Sequence, residues 1–459
     1  MPMFVGREAE LHLLDAAYGG RDAAFIPIYG RRRVGKSELI LQFLKDKPAL
    51  YFVGKQAPRT LQIAEFLREA AIVTGEPLLA SMKADDWRSA LVAIDERSRQ
   101  KRIVLAFDEF QWTVETSPEL PSVLQELWDR RWRSSGRVFL ILCGSFIGFM
   151  EREVLGRKSP LYGRRTAQIL LRPFGYQEAS EFHSRWALEE RTRAYFVCGG
   201  VPLYLKLFDK HRSVEQNIEH LLLDEMGALA KEPEFLLREE LREVPVYHAV
   251  LRAIAAGHAR ASAIAEQSGL PERSIHYYVE QLASLGYIAR HYPLSGGKPV
   301  SRHVRYVLED PLLRFWFRFV FPNQSFVHSA GPSRSFRDRI RPEIEAYWGS
   351  CFERLCREAL HHIYLDEGVQ TSFEIGEYWD RDVQIDVVGV REDRWTDLGE
   401  CKWGAVRSLK VLERELDAKI HRYPNLRGHT LDRRYFVRRR PRGGLPGKGW
   451  FSLEDLYDA

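Results

Sequence analysis

The sequence predicts an α/β fold built on a doubly wound parallel sheet, and apolar segments in its first third carry this prediction. Residues 25–29 have the pattern of a buried strand, which leads through a glycine-rich loop into a helical pattern at residues 38–44. Residues 102–107 form a second apolar run, and residues 50–53 and 138–143 form two more. Because these runs alternate with helical patterns up to about residue 170, we expect a parallel sheet with helices on both faces.

The loop after the first strand has the complete spacing G-x-x-x-x-G-K-S. Its residues are Gly30, Arg31, Arg32, Arg33, Val34, Gly35, Lys36 and Ser37. The glycines let backbone N–H groups wrap phosphates, and the N-terminus of the following helix adds a favourable dipole. Lys36 is expected to neutralise the β- and γ-phosphates, and the Ser37 hydroxyl to bind Mg²⁺. The loop therefore predicts binding of a nucleoside triphosphate with Mg²⁺.

Three polar residues at strand ends complete the predicted site. Asp108 and Glu109 follow the apolar run 102–107. Asp108 stands where a Walker B aspartate holds the Mg²⁺ shell, and Glu109 where a carboxylate orients the attacking water. Ser145 follows the run 138–143 and either senses the γ-phosphate or caps the next helix. The paired carboxylates favour hydrolysis over binding alone.

Composition sets the frame for these motifs. The 459 residues, of which 45% are hydrophobic, suggest about three domains. The five cysteines are scattered and form no metal-ligand pattern. The N-terminus lacks a signal-peptide pattern, and no segment is long and apolar enough for a membrane span. We therefore expect a cytoplasmic protein without membrane partners. The net charge of +5 permits nucleic-acid binding without establishing it.

Several segments together resemble one family, the archaeal-type ATPases of the AAA+/STAND class of P-loop NTPases. The resemblance covers roughly residues 1–235 and rests on residues 4–8, 107–111, 143–145, 159–166 and 199–205 in addition to the loop. It implies ATP as the nucleotide, Arg7 near the adenine pocket and Ser145 as the sensor residue. It also implies that Arg164 or Arg165 contacts the γ-phosphate, in cis or in trans from a second copy in a homo-oligomer; a solvated basic pair is the alternative. On this basis residues 1–170 are the ATPase core and residues 171–239 a helical lid.

Residues 240–322 resemble a winged helix. Three short helical patterns precede a hairpin pattern that contains Gly296, Gly297 and Lys298. The third helix would expose four residues to a major groove, namely Arg273, Ser274, His276 and Tyr277. Contact with protein partners alone is the alternative role. The aromatic segment 311–322 is interpreted as a packing helix, and residues 323–340 as a linker.

The last segment, residues 323–459, carries a second carboxylate pattern. Glu353 lies in a helical pattern that opens at Trp348, Asp386 in a strand, and Glu400 and Lys402 in the next strand. Carboxylates on adjacent strands can share Mg²⁺, and alternation places Glu400 and Lys402 on one face. The order resembles the PD-(D/E)xK nuclease fold, although Ile385 replaces the usual proline.

This second resemblance implies a restriction-endonuclease-like α/β domain with a metal at Asp386 and Glu400, Lys402 beside the scissile phosphate and Glu353 as the helix carboxylate. Archaeal-type ATPases often carry a C-terminal region of this form. An inactive fold kept for DNA or partner contact is the alternative. The basic run 433–442 is either a phosphate-contact surface or a solvated edge.

Together these patterns predict an ATPase that couples its nucleotide state to DNA binding and to Mg²⁺-dependent DNA cleavage. The alternative is a STAND-type signalling or regulatory ATPase whose C-terminal domains only bind DNA or protein partners.

Overall fold

The computed structural model of the protein describes residues 4–97, 102–300, 303–406, 408–441 and 447–458. The chain divides into two compact units. The first contains residues 1–174 and 201–203, and the second contains residues 175–200 and 204–459. Most of the predicted lid, residues 171–239, thus groups with the second unit.

The first unit is built on a parallel five-stranded sheet. In chain order its strands are β1 (Ala24–Tyr29), β2 (Ala49–Val53), β3 (Ile103–Asp108), β4 (Val138–Gly144) and β5 (Ile169–Leu170). Their order across the sheet is β2-β3-β4-β1-β5, and every pairing is parallel. The prediction of a parallel α/β sheet in the N-terminal part is therefore confirmed.

Helices cover both faces of this sheet. They span Glu8–Gly19, Lys36–Leu44, Arg59–Thr74, Leu78–Ser81, Trp87–Arg97, Phe110–Thr116, Leu120–Leu127, Trp128–Trp132, Arg133–Ser135, Ile147–Phe149 and Met150–Leu155. Alternate side chains of one strand enter two separate cores. Phe25 belongs to the core that contains Phe66 and Trp87, whereas Ile26 belongs to the core that contains Phe43. This division explains why β1, β3 and β4 are buried along their whole length.

The second unit begins with helices. They span Tyr176–Ser180, Glu181–His183, Leu188–Cys198, Val214–Ile218, Glu219–Leu223 and Glu232–Glu240. One further helix, Pro202–Leu207, contributes residues to both units.

A small module follows at residues 244–308. Its helices Val244–Ala255, Ala261–Ser268 and Glu272–Ser284 precede an antiparallel pair, β6 (Ile288–His291) and β7 (Arg305–Leu308). Ile264, Ile275 and Leu282 are buried within it. The elements occur in the predicted order, and their assignment to the winged-helix fold stays a prediction.

The segment predicted as a linker is helical, so that prediction is wrong. After Pro311–Phe315, Trp316–Val320 and Phe321–Asn323, helices span Gln324–Ala330, Pro332–Ser335 and Phe336–Ile340, and the chain continues into the long helix Arg341–Asp366. The serines, glycine and proline of this segment suggest a loop by composition. However, Phe336 and Ile340 are buried at helical spacing, and Pro332 stands at the start of a helix, where proline is tolerated. The helix predicted to open at Trp348 thus begins seven positions earlier, at Arg341.

A mixed five-stranded sheet closes the second unit. Its strands are β8 (Phe373–Trp379), β9 (Gln384–Arg391), β10 (Trp395–Lys402), β11 (Thr430–Val437) and β12 (Trp450–Ser452), in the order β12-β11-β10-β9-β8. The β8–β9 and β9–β10 pairs are antiparallel, whereas β10–β11 and β11–β12 are parallel. The helix Arg341–Asp366 packs on β8, β9 and β10, and the helices Leu409–Ile420 and Leu453–Asp458 complete the fold.

Candidate functional site

The glycine-rich loop connects β1 to the helix Lys36–Leu44, at the carboxyl end of the parallel sheet. Gly30 adopts a φ of 151°, and a Cβ on it would lie 2.2 Å from the Leu171 carbonyl oxygen. Gly35 adopts a φ of 92°, and a Cβ on it would lie 3.7 Å from Pro202 Cγ. Both positions therefore require glycine, and Pro202, from the segment 199–205 that contributes to the family resemblance, lies beside the loop at Gly35.

Lys36 is buried, with 6% of its surface exposed, and its ammonium group is held inside the loop. Its Nζ donates to the carbonyl oxygens of Gly30 at 3.0 Å and of Arg31 at 2.7 Å. Burial lowers its pKa, while the nearby carboxylates Glu109 and Asp108 oppose that effect. Phosphate oxygens would replace two neutral acceptors with charged ones, which is the environment a buried ammonium group favours.

Asp108 lies at the end of β3 and faces the loop. Its Oδ2 accepts hydrogen bonds from the Ser37 hydroxyl and from the Tyr51 hydroxyl, each at 2.6 Å. Its Oδ1 accepts from the backbone N–H of Glu109 at 2.8 Å. The two side chains predicted to hold Mg²⁺ are thus in direct contact. Burial and the charge of Asp108 raise the pKa of Tyr51, which keeps that hydroxyl protonated as a donor.

Glu109 adopts a left-handed backbone conformation with a φ of 49°, which is uncommon for a residue with a side chain. Its Oε2 accepts a hydrogen bond from Ser145 Oγ at 2.8 Å and a second one from Gln111 Nε2. Gln111 Nε2 also donates to Ser145 Oγ at 3.3 Å. Structures store strain of this kind at functional sites. Ser145 therefore contacts the residue predicted to orient water.

The arginines predicted to surround the nucleotide differ in their contacts. Arg7 is buried, donates to the carbonyl oxygens of Val34 at 3.3 Å and Arg172 at 2.6 Å, and stacks 3.9 Å from the Phe174 ring centre. It thus supports the loop, and its place near the adenine stays a prediction.

Of the two arginines predicted to contact the γ-phosphate, Arg165 is exposed and Arg164 is partly buried. Arg164 forms a bidentate ion pair with Asp129, with Nη2 at 2.7 Å and Nε at 2.9 Å from its carboxylate. Arg165 is close enough to Tyr29, the residue before the loop, for its positive charge to oppose the rise that burial causes in the pKa of Tyr29.

The C-terminal carboxylates lie on neighbouring strands of the mixed sheet. Asp386 on β9 accepts a hydrogen bond from the backbone N–H of Cys401 at 3.0 Å, which ties it to β10. Glu400 on β10 is 3% exposed, and its Oε1 lies 3.0 Å from Lys402 Nζ. Its other oxygen pairs with Lys419, from the helix Leu409–Ile420. The structure therefore brings Asp386, Glu400 and Lys402 together and adds a second lysine.

Glu353, on the helix Arg341–Asp366, lies close enough to Asp386 and Glu400 for their charges to raise its pKa. Burial, followed by the charge of Asp386, raises the pKa of Glu353, and burial, followed by the charge of Glu400, raises that of Asp386. Within the residues that the structure describes, no group of three or more histidine, cysteine or acidic side chains is arranged to hold a metal ion. A metal role thus depends on Asp386 and Glu400, whose charge the lysines already balance.

The basic run 433–442, predicted as either a phosphate-contact surface or a solvated edge, is neither of these at Arg434. Arg434 is 2% exposed and pairs with Asp397 at 2.7 Å and Glu367 at 2.6 Å. The other described arginines of the run also pair with carboxylates; they are Arg433, Arg438, Arg439 and Arg440. Arg442 lies outside the described residues. Because folding neutralises these charges internally, the run offers less free positive charge than its sequence suggests.

Three residues at these sites were not predicted, namely Tyr51, Gln111 and Lys419. Tyr51 and Lys419 reach their partners across 57 and 19 positions, from other elements. Gln111 stands two positions after Glu109 at the start of a helix, and this adjacency was the one signal available in the sequence. Among the described helices, none is both long and apolar enough to cross a membrane.

The parallel sheet, the loop geometry and the Ser37–Asp108 contact are those of a P-loop nucleotide-binding domain. More particularly, residues 4–208 match the family described as "ATPase domain predominantly from Archaea". Residues 316–414 match a second family, described as "Archaea bacterial proteins of unknown function". The resemblance to P-loop ATPases is thus confirmed.

Individual proteins extend this comparison. An uncharacterized protein of Methanocaldococcus jannaschii is 28% identical over 421 residues, which cover 91% of this chain and 92% of the relative. An uncharacterized ATP-binding protein of the same organism is 49% identical over 45 residues, or 10% of this chain and 76% of the relative. The solved structure of a Walker-type ATPase of Pyrococcus abyssi matches with a TM-score of 0.53 and 22% identity, covering 69% of this chain and 96% of its own. That likeness shows a shared fold.

Proposed function

We propose that this protein is a Mg²⁺-dependent ATPase whose nucleotide state controls DNA binding by the second unit. The observation that carries the ATPase part is the 2.6 Å hydrogen bond between Ser37 and Asp108, beside the buried ammonium group of Lys36. A hydroxyl and a carboxylate are oxygen donors of the kind that Mg²⁺ prefers, and an ammonium group in a glycine loop suits phosphate. The residues present therefore fit Mg²⁺–ATP.

The roles of the side chains follow from their contacts. Bound Mg²⁺ supplies neutralising charge to the β- and γ-phosphates. Ser37 and Asp108 would hold it, and Lys36 would exchange the loop carbonyls for phosphate oxygens. Glu109 would orient the attacking water, with Ser145 and Gln111 fixing the direction of its carboxylate.

Two substitutions separate nucleotide binding from turnover. Lys36→Ala should abolish ATP binding, because it removes the buried positive charge of the loop. Glu109→Gln should keep binding and stop phosphate release, because an amide cannot accept the proton of water. Binding is measured by equilibrium dialysis and turnover by phosphate release. A Glu109→Gln variant with the turnover of the natural protein would contradict the role of Glu109.

We propose Arg165 as the γ-phosphate arginine, since Arg164 is committed to Asp129. If Arg165 acts from a second copy, mixing inactive Glu109→Gln and Arg165→Ala chains should restore some phosphate release. Arg164→Ala serves as the matched control. Equal turnover of Arg165→Ala and the natural protein would exclude this role.

The proposed duplex contact lies on the helix Glu272–Ser284. Arg273, His276 and Tyr277 are exposed on it, and the helix holds the position of a recognition helix ahead of a β-hairpin. Replacing the three with alanine should weaken duplex binding and reduce its salt dependence. Arg337→Gln is the control, because Arg337 is exposed and already paired with Asp338. Unchanged duplex binding would instead favour the regulatory ATPase that binds protein partners.

DNA cleavage is a second candidate function, favoured by the placement of Asp386, Glu400 and Lys402 on adjacent strands. The expected result is Mg²⁺-dependent cutting of a labelled duplex that Asp386→Asn and Lys402→Ala abolish while ATP turnover persists. Cutting is assayed with and without ATP. If no metal supports cutting and Asp386→Asn changes nothing, the second unit is a binding module.

A further inference from the structure

A cleft of about 660 Å³ lies within the second unit, between the β6–β7 hairpin and the long helix Arg341–Asp366. Its lining is rich in arginine and includes Arg305, Arg314, Arg318, Arg354 and Arg357. This volume is within the range of ligand-binding pockets, about 300–1,000 Å³. The cleft is separate from the exposed face of the helix Glu272–Ser284, none of whose residues lines it.

Three of the arginines are neutralised by the protein itself. Arg318, Arg354 and Arg357 each have a carboxylate oxygen within 4.0 Å. Because these three positive charges are already paired, they contribute little attraction for an anionic ligand.

The other two arginines make their short contacts with neutral groups, while the charges of Glu377, which also lines the cleft, and of Glu309 act from further away on Arg305 and Arg314, respectively. Arg305 stacks 4.2 Å from the Trp379 ring centre. Arg314 donates to Tyr347 Oη at 3.4 Å and contacts Cys351 Sγ at 3.7 Å. In the described part of the chain, no carboxylate oxygen lies within 4.0 Å of either guanidinium group. Burial lowers the pKa of Arg305, so its charge is only partly compensated, and an anionic ligand beside it would offset the cost of its burial.

The lining also leads to the C-terminal carboxylates. Glu353 lines the cleft and is electrostatically coupled to Asp386. Arg357 lines it too, and its Nη1 donates to the backbone carbonyl of Asp386 at 2.6 Å. An anionic chain that enters beside Arg305 would therefore approach the strand that carries Asp386.

We propose that this cleft binds the phosphate backbone of single-stranded nucleic acid and guides it toward Asp386. The proposal rests on the proposed action of the second unit on DNA. Arg314 is only partly exposed on the cleft wall, a position that a flexible single strand reaches more readily than a stiff duplex. Tyr306 and Tyr347 line the cleft but are buried, so they present little ring surface for base stacking. Recognition thus falls on phosphates, without base preference.

The test uses the full-length protein and a labelled single strand of about ten nucleotides, followed by fluorescence anisotropy. Arg305→Gln should weaken binding about tenfold, because it removes one charge-assisted contact. It should also lower the slope of log affinity against log salt by about one. An abasic strand of equal length should bind as tightly as the natural strand. Arg337→Gln, outside the cleft, should bind like the natural protein.

Arg314→Gln is a second variant that should also weaken single-strand binding, and its thermal melting shows whether it folds. If it does not fold, Arg305→Gln alone decides whether the cleft binds the strand. Equal single-strand affinity of Arg305→Gln and Arg337→Gln would overturn the proposal, as would loss of binding to the abasic strand. Displacement of the strand by ATP in the Lys36→Ala background would also overturn it, since the cleft would then be a site for small nucleotides. Duplex binding, tested through the variant at Arg273, reports separately on the proposed function. The single-strand cleft and the duplex contact can therefore each fail without the other.

Discussion

Tyr51→Phe should slow ATP turnover without preventing ATP binding. The substitution removes one hydroxyl, which donates to Asp108 Oδ2 at 2.6 Å. The same oxygen accepts from Ser37, but the Ser37 hydroxyl must turn toward Mg²⁺ when the nucleotide binds. Tyr51 is then the side-chain donor that still fixes the direction of the Asp108 carboxylate.

The size of the effect follows from the type of hydrogen bond. A hydrogen bond to a charged acceptor contributes about 1.5–3 kcal/mol. Asp108 keeps the backbone N–H of Glu109 as a donor, so we take the lower end of that range. About 1.5 kcal/mol corresponds to a roughly tenfold lower kcat, with a higher Mg²⁺ concentration needed for half-maximal rate.

Steady-state phosphate release at varied Mg²⁺ tests this prediction, with ATP affinity measured separately. Tyr162→Phe is the matched control, because it removes a hydroxyl from an exposed tyrosine of the same unit. A Tyr51→Phe variant with normal kcat and normal Mg²⁺ dependence would refute the argument. A variant that only melts earlier would show that the hydroxyl is structural.

Three further substitutions test other parts of the structure. Gly30→Ala should abolish ATP binding, measured by equilibrium dialysis, because its Cβ would meet the Leu171 carbonyl oxygen at 2.2 Å; normal binding would contradict this. Arg434→Leu should lower the free energy of unfolding by about 3 kcal/mol, because Asp397 loses its close arginine and keeps only the Tyr364 hydroxyl and, at 3.9 Å, Arg391; calorimetry measures the loss. Glu353→Gln should raise the melting temperature at pH 8 but not at pH 4. Folding raises the pKa of the Glu353 carboxyl, so the neutral carboxyl stabilises the folded state at low pH and this contribution is lost as pH rises through the folded pKa. A variant that melts like the natural protein at both pH values would contradict this prediction.

Sequence reasoning succeeded where the determinants of structure are local. The phosphate loop has fixed spacing, and its glycines, Lys36 and Ser37 lie within eight consecutive positions. The apolar run 102–107 leads directly into Asp108. Because parallel strands place their carboxyl ends at one edge of the sheet, the contact between Ser37 and Asp108 could be expected before the structure was known.

Sequence reasoning failed where charge depends on distant partners. The basic run at residues 433–442 suggested a surface, yet Arg434 is buried against Asp397, which lies 37 positions earlier. Similarly, Lys419 reaches Glu400 from a helix that carries no motif. Local composition also misled at residues 323–340, where glycine and proline separate short helices that still bury Phe336. A short stretch of sequence does not reveal ion pairs with distant residues or burial against distant elements.

The carboxylates of the P-loop site and of the C-terminal sheet differ in the groups that already contact them. Asp108 accepts hydrogen bonds from neutral hydroxyl groups, so a divalent cation at the P-loop displaces no positive charge. Glu400 pairs with Lys402 and Lys419, so a cation there must compete with two ammonium groups. A phosphate arriving through the arginine-lined cleft would offer those ammonium groups another anion. If the proposed cleavage occurs, nucleic acid should therefore bind first and the C-terminal carboxylates should take up metal afterwards, whereas the P-loop site would need no such preparation.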